Sequence, residues 1–270
     1  MSEFIVLTHA SECEPGDALI CDPPFSDRVH DKAVSNNPGG VETGTRKRDF
    51  GFDSLKPGLV QLIAGLMRDT PGWSVVFSDI ESIGSVWQPA APKAYVRSVP
   101  WVRWSQPQKS GDRPCSGAEM TALFHPPGKK VWNGLGSMTS WWAKSLRGKE
   151  KYSAEKPLDL MLAVVSAFSQ HDTLVVDPTM GVGTTGVACL ILGRDFVGAE
   201  LRDSVRADAE RRLTAAHKGE LSARDLERAA RFVSDMLDRC EADEPKTPKA
   251  WERRERLLAD VERVERYIAK

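Results

Sequence analysis

Ten residues, Asp177-Pro178-Thr179-Met180-Gly181-Val182-Gly183-Thr184-Thr185-Gly186, restrict the fold of this chain more than any other stretch. Ahead of them an apolar, β-branched run over residues 173–176 reads as a buried parallel strand. Behind them, residues 187–192 read as the first turns of a buried helix, stopped by Gly193. A second short strand over residues 195–199 ends on Glu200. Strand, glycine turn, helix, strand and acid form the plan of a nucleotide-type site. The glycines let the backbone pass close to a ligand where a side chain would collide. The helix N-terminus leaves N–H groups free for anionic or polar ligand atoms. An acid in the position of Glu200 can accept hydrogen bonds from both ribose hydroxyls. Taken alone, the motif does not separate this reading from a tight strand-to-helix turn without a ligand.

A second stretch, Asp17 to Phe25, runs from an apolar strand straight into Asp22-Pro23-Pro24-Phe25. The prolines cannot continue a ladder, so the strand ends there, at the sheet edge where open parallel sheets bind ligands. The unit is either a rigid turn or a stiffened backbone presenting an aromatic stacking surface. Residues 26–54 are polar and turn-rich and carry Arg46, Lys47 and Arg48. Long loops of this kind are solvated connections or binding elements. Helical spacing follows over residues 55–67, a strand over 73–79 and a helix over 81–88. Two later strands, over 94–104 and 119–124, are expected to pair as an antiparallel hairpin.

Between residues 126 and 151, Lys129, Lys130, Lys144, Arg147, Lys149 and Lys151 stand against one acid, Glu150, with Trp132, Trp141 and Trp142 among them. Such interleaving suits a polyanion with stackable bases, and equally a solvated loop with tryptophans packed beneath it. Lys156-Pro157 opens an apolar helix over 158–168, which leads directly into the glycine turn. After Glu200 an amphipathic helix over 202–217 closes the unit. Two charged helices over 222–240 and 249–269 follow, read as lying outside the core, and the sequence leaves them free to pack on the domain, on another chain or along DNA.

The chain's 270 residues can hold one large α/β domain with additions, or two small domains. A formal net charge of -1 does not discriminate for or against nucleic acid, since a basic face can be offset by acids elsewhere. Five scattered cysteines, with no C-x-x-C or H-E-x-x-H, indicate neither a zinc site nor a disulfide framework, so no metal is expected. No bilayer-spanning run or signal peptide is read in the chain, and the expected location is the cytoplasm.

With both motifs placed, the chain resembles the DNA amino-methyltransferases, enzymes that methylate an exocyclic nitrogen of adenine or cytosine. Asp22-Pro23-Pro24-Phe25 is similar to their catalytic D/N/S-P-P-Y/F/W motif, and Asp177 to Thr185 to their D-P-F-x-G-x-G-T-T cofactor turn. Lys156-Pro157 is similar to the K-P that helps hold the methionine end of the cofactor, and Glu200 to the ribose-binding acid. Catalytic motif before cofactor turn is the permuted order of the β class. Thr179 stands where the family has Phe, Val182 where Ser is common, and Tyr152 where His often precedes K-P.

The resemblance implies a Rossmann-like, mostly parallel sheet with an antiparallel hairpin at one edge. Residues 1–220 would form the catalytic domain and 221–270 a helical extension. It implies S-adenosylmethionine as cofactor, held by Lys156, Pro157, Asp177, Pro178, Thr179, Met180, Gly181, Gly183, Thr184, Thr185 and Glu200. It implies double-stranded DNA as partner, base flipping, and catalysis by Asp22, Pro23, Pro24 and Phe25. Asp at position 22 is the family pattern that accompanies adenine N6, with cytosine N4 as the alternative. No large recognition domain separates the two halves, so loops 26–54 and 105–151 are expected to touch DNA through Arg46, Lys47, Arg48, Lys129, Lys130, Lys144 and Arg147. A restriction–modification role is expected, and a homodimer is left open.

Other classes account for less. A nicotinamide-dependent oxidoreductase would use Gly181, Gly183, Gly186 and Glu200, but leaves Asp22–Phe25 and Lys156-Pro157 unexplained. A P-loop requires a Lys after the glycines, which is absent. Protein-glutamine methyltransferases place the cofactor turn before an N-P-P-Y-type motif, the reverse of the order here. A catalytically silent fold that only binds DNA is the non-enzymatic alternative.

Overall fold

A computed structural model describes residues 2–27, 53–91, 94–102, 118–134 and 155–269, together with five short strands, given by their backbone, in the intervening stretches. The strands are β1 (Phe4–Leu7), β2 (Ala18–Cys21), β3 (Val34–Ser35), β4 (Arg46–Lys47), β5 (Ser74–Ser78), β6 (Tyr95–Val102), β7 (Gln108–Ser110), β8 (Arg113–Ser116), β9 (Ala118–Phe124), β10 (Trp141–Trp142), β11 (Leu174–Asp177) and β12 (Asp195–Ala199). Eight of them form one sheet in the order β1-β12-β11-β2-β5-β9-β6-β10, while β3–β4 and β7–β8 are separate two-stranded ribbons. Within the large sheet β9 alone is antiparallel to its neighbours. The expected hairpin is therefore present as β6 and β9, but its later strand is inserted between β5 and β6 instead of standing at the rim. β10 covers the far side of β6, so the rim strand is Trp141–Trp142.

The central strands are apolar on both faces, which is what a sheet covered on both sides requires. Period-two alternation then divides the side chains between two cores. Ala18, Ile20, Val75, Phe77 and Val175 face one, and Leu19, Cys21, Val76 and Val176 face the other. The first core is closed by helices α2 (Leu158–Phe168), α3 (Thr184–Leu192) and α4 (Asp203–Lys218). The second is closed by α1 (Pro57–Asp69) and by Ile83 and Trp87 of a helical run over 80–90 that contains a π turn at Ile83–Trp87. Hence α2 is apolar nearly all round, since one side meets the sheet and the other meets further helices.

Those further helices are α5 (Ala223–Ala242) and α6 (Pro248–Ile268). Read from sequence as lying outside the core, they bury Ala229, Phe232, Val233, Met236, Leu257, Val261 and Val264 in the first core. Their charged residues hide a narrow apolar stripe, and two buried ion pairs fasten it. Arg228 Nη1 lies 2.8 Å from Asp159 Oδ1 on α2, both side chains being under 5% exposed. Arg194, 1% exposed, donates to both oxygens of Asp260 at 2.6 and 2.8 Å and also to Ser169 and the Leu192 carbonyl. Ser166 Oγ donates to the same carboxylate at 2.7 Å. No helix among the described residues is long and apolar enough to cross a membrane.

Removing one member of a buried, hydrogen-bonded pair leaves its partner uncompensated and costs roughly 3–5 kcal/mol. We expect Asp260→Ala to lower the unfolding free energy by that amount in urea titrations, with a loss below about 1 kcal/mol showing that α6 is not part of the folded unit.

Candidate active site

The site lies along the carboxyl edge of the sheet, where β2 and β11 are neighbours and their chains depart to opposite faces. Four adjacent parallel strands each reach an acid at this edge. In spatial order, β12 reaches Glu200, β11 ends on Asp177, β2 reaches Asp22 and β5 reaches Asp79. Because β9 runs the other way, its first residues meet the same edge: Met120 pairs with Ser78, the last residue of β5, and Glu119 precedes it.

The glycine turn is built around Asp177. Its Oδ1 accepts from the Thr179 amide at 3.0 Å, and its Oδ2 accepts from Thr185 Oγ1 at 2.7 Å. The carboxylate thus ties both ends of the turn together. Burial pushes this carboxyl up to about 7, against the opposing effect of those hydrogen bonds. Gly181 and Gly183 have φ of 54° and 74°, which L side chains rarely adopt, and a Cβ on Gly181 would meet no atom within 4 Å. Among the described residues this leaves space close to the N-terminus of α3, whose first N–H groups have no partner within the helix. Gly186 serves packing instead, for a Cβ there would stand 2.6 Å from Phe196 and Leu213. At the next strand, Glu200 is 9% exposed, and its Oε1 accepts from the Arg202 amide at 3.0 Å and Arg202 Nε at 2.9 Å.

Arg212 on α4 joins the turn to the rest of the edge. It donates to Thr184 Oγ1 at 2.9 Å and to the Val182 carbonyl at 3.4 Å. It also lies 3.1 Å from Glu155 Oε1 and 2.8 Å from Asp225 Oδ1 on α5. Arg224 of α5 closes on Glu155 at 2.5 Å. The α5 helix therefore braces both the glycine turn and the residues just ahead of Lys156-Pro157.

Asp22, Pro23, Pro24 and Phe25 leave the end of β2. Asp22 Oδ2 accepts from Lys156 Nζ in a close ion pair, while Asp22 Oδ1 is buried with no hydrogen-bond partner among the described residues. Lys156 is 10% exposed, reaches Glu119 Oε2 at 3.4 Å, and lies 5.6 Å from the ring centre of Phe25 and 5.3 Å from that of Phe77. Burial pushes the Asp22 carboxyl up, Lys156 opposing this and Glu119 reinforcing it. Burial alone would depress the Lys156 ammonium, but Asp22 and then Glu119 raise it on balance. Asp79 secures the loop beyond Phe25, its Oδ2 accepting from the Ser26 amide at 3.2 Å while its Oδ1 caps the following helix at Ser82.

The two motifs thus meet across the β2–β11 junction, and Lys156, read as a cofactor residue, stands on Asp22. Glu119 and Asp79 were not singled out by sequence reasoning. Asp79 carried a usable signal, an acid directly after an apolar strand, as at Asp22. Glu119 carried none, because nothing local marks the strand beneath it as reversed. Lys129 and Lys130 follow β9, whose last residue Phe124 pairs with Ser74 at the start of β5, so they stand at the opposite edge of the sheet from Asp22. That geometry removes them from the pocket rim. Arg46 and Lys47 form β4, with side chains outside the described residues, and Arg48, Lys144 and Arg147 lie outside them altogether. Among the described residues no cluster of His, Cys, Asp or Glu can hold a metal.

Comparison with known proteins gives a consistent family. Residues 80–211 match the family described as DNA methylase. The chain is 27% identical over 229 residues to the Type II methyltransferase M2.LlaDCHI of Lactococcus lactis subsp. cremoris, covering 74% of this chain and 82% of that protein. It is 37% identical over 70 residues to the Type II methyltransferase M.HinfI of Haemophilus influenzae, a match spanning 26% of this chain and only 20% of that relative's length. In fold it resembles the M1.HpyAVI–SAM complex, with a TM-score of 0.56 and 22% identity over 78% of this chain and all of the other. The cytosine-N4-specific PvuII DNA methyltransferase gives the same TM-score of 0.56 at 15% identity, over 80% of this chain and 92% of the other.

The raised Asp177 carboxyl sets a direction for stability. A folded value near 7 against an ordinary 3.8 means that the folded state binds more protons between those limits. This group's contribution is fully present below about 4 and is lost as pH rises through about 7, at up to about 1.4 kcal/mol per pH unit. Urea unfolding of wild type and Asp177→Asn across that window should show a falling trend in the first that is flattened in the second; parallel trends would assign the proton elsewhere.

Proposed function

We propose that this chain is a DNA methylase and transfers a methyl group from S-adenosylmethionine to an exocyclic amine of a flipped base in double-stranded DNA, with adenine N6 as the target. The observation that carries this reading is the buried Asp22 Oδ1, an acceptor without a hydrogen-bond partner among the described residues, just after strand β2 and ahead of Pro23-Pro24. A buried acceptor left unpaired costs roughly 1–3 kcal/mol, which a donor arriving with the substrate would relieve.

The residues suit the group. Gly181 leaves room for a ligand, the α3 N-terminus offers N–H donors, and Glu200 stands where ribose hydroxyls would be held. When bound, S-adenosylmethionine supplies the methyl group as an electrophilic sulfonium. The rest is the work of the chain. An exocyclic amine is a poor nucleophile because its lone pair is delocalised into the ring. Asp22 Oδ1 and the Pro23 carbonyl would accept its two N–H groups and turn the lone pair outward, a matter of orientation and fixed charge. Asp22 then takes the proton that the amine gives up. The base must leave the duplex to reach this geometry, and Phe25 would stack on it, worth about 1–3 kcal/mol. Asp rather than Ser at position 22 favours adenine, and the fold itself does not choose, since the cytosine-N4-specific PvuII methyltransferase is similar in fold.

DNA contacts fall to the loops that leave the carboxyl edge. Residues 26–54 follow the Asp22 motif and carry Arg46, Lys47 and Arg48; residues 103–117 join β6 to β9 at the same edge; Lys144 and Arg147 precede Lys156-Pro157. The Type II methyltransferase names of the relatives support a modification role beside a restriction nuclease, and the cytoplasm is the location proposed with it.

Incubating the protein with S-adenosylmethionine and unmethylated DNA, then resolving the nucleosides by mass, should yield N6-methyladenine. N4-methylcytosine would overturn the base assignment, and no methylated nucleoside would overturn the reaction. Asp22→Ala should abolish transfer while cofactor affinity measured by calorimetry stays within about threefold, under 1 kcal/mol; surviving turnover would show that Asp22 is not the acceptor.

A further inference from the structure

We infer that Arg212 is a positioning residue for the cofactor, fixing the glycine turn against the segment that leads into Lys156-Pro157. This rests on the function proposed above, in which both segments hold S-adenosylmethionine. Gly183, the N-cap of α3, has no side chain to cap the helix, and glycines such as Gly181 and Gly183 have the most conformational freedom to lose. The turn keeps its shape through the residues that follow. Thr185 Oγ1 donates to Asp177 Oδ2 at 2.7 Å, which fastens the turn to β11. Thr184, the first residue of α3, is fastened to α4 instead: Arg212 Nη1 donates to its Oγ1 at 2.9 Å and to the Val182 carbonyl at 3.4 Å.

The guanidinium can do this at a fixed angle because its other edge is already held. Nη2 and Nε of Arg212 donate to the two oxygens of Asp225 at 2.8 and 3.2 Å. Asp225 is itself tied to Ser222, whose hydroxyl donates to Oδ2 at 3.0 Å and accepts from the Asp225 amide at 3.1 Å. The plane of the fork is therefore set from α5, and Nη1 is presented both to the turn and, at 3.1 Å, to Glu155 Oε1. The Arg212 side chain is 15% exposed and those of Glu155 and Asp225 are 5% exposed, so little water intervenes. Glu155 directly precedes Lys156, whose ammonium meets Asp22. One rigid group thus touches the glycine turn and the approach to Lys156-Pro157 together. The sign of its charge speaks against a role in capping, since a helix N-terminus favours an anion and a guanidinium beside α3 opposes the dipole. What Arg212 contributes is geometry. A turn already held in its bound shape spares the ligand the cost of ordering it, so the fork is felt as affinity for S-adenosylmethionine.

The test uses the full chain. Arg212→Lys keeps the charge but not the fork, and Glu155 retains Arg224 at 2.5 Å as a cationic partner when Arg212 is changed. The calorimetric Kd of Arg212→Lys for S-adenosylmethionine should rise about tenfold, equivalent to about 1.4 kcal/mol. KM for S-adenosylmethionine should rise with it, while KM for DNA stays within about twofold. Asp225→Asn sets an amide donor against the guanidinium without touching the turn, and should weaken cofactor binding in the same direction. The double variant should bind no worse than Arg212→Lys alone, because both changes act through one contact. An unchanged Kd in Arg212→Lys, a KM for DNA that rises as much as Kd, or additive losses in the double variant overturns the inference. If Arg212→Lys does not fold, a wild-type Kd in Asp225→Asn overturns it instead. A wild-type protein that binds S-adenosylmethionine and methylates no DNA sinks the proposed reaction, and the affinities still decide the role of Arg212.

Discussion

Two neighbouring parallel strands that send their chains to opposite faces of a sheet cannot fill the gap between their carboxyl ends. That constraint at β11 and β2 creates the crevice on which everything else in the molecule depends. From β11 the chain turns through glycines with positive φ into α3, on the face shared with α2. Beyond β2 it leaves through two prolines and reaches α1 on the other face. Neither path can cross the junction, so Asp177 and Asp22 stand on either side of the gap between the two strand ends. A Cβ at Gly186 would collide with Phe196 and Leu213, which shows how tightly α3 must sit on the sheet to keep that gap in place.

Holding ionised groups around such a gap requires partners inside the protein. The chain provides them as a connected set. Arg212 links the glycine turn to Glu155 and Asp225, and Arg228 links α5 to Asp159, the second residue of α2. Arg194 and Asp260 anchor α6 at the other end of α2. Burial raises the Asp159 carboxyl and its guanidinium partner opposes that rise, the usual balance of a buried pair. The C-terminal helices are thus structural supports of α2, the helix that follows Lys156-Pro157. Their charge pattern looks like a solvated surface because the few charged residues that matter are spaced between many that do not.

Much of this was legible in the sequence, for reasons that differ by element. The β11–α3–β12 unit is written locally: β-branched strand, glycines, apolar helix and acid all lie within residues 173–200. The limits of α2 are likewise set by Pro157 and the end of the apolar run at Phe168. The position of β9 is not local. It is decided by which strand Leu123 and Thr121 pair with, and they pair with both Val75–Phe77 and Arg97–Val99. The inserted hairpin, the arrival of Glu119 at the edge and the displacement of Lys129 and Lys130 to the opposite edge all follow from that pairing. The integration of α5 and α6 was hidden by composition, since a stripe of Ala229, Phe232, Val233 and Met236 is enough to bury a helix whose other faces are charged. Lys156 was found by motif, and its partner Asp22 was found by motif, yet the contact between them spans 134 residues of sequence and only the fold reveals it.

The row of acids along the carboxyl edge is largely answered from within the protein. Asp22 meets Lys156, Glu200 meets Arg202, and the Asp177 carboxyl, raised to about 7, is in part protonated near neutral pH. Ion pairs of this kind cancel beyond a Debye length, so the edge shows a distant charge little of the field that its composition suggests. These carboxylates are therefore short-range devices, felt by a group that comes into contact with them and hardly at all by one that stays outside.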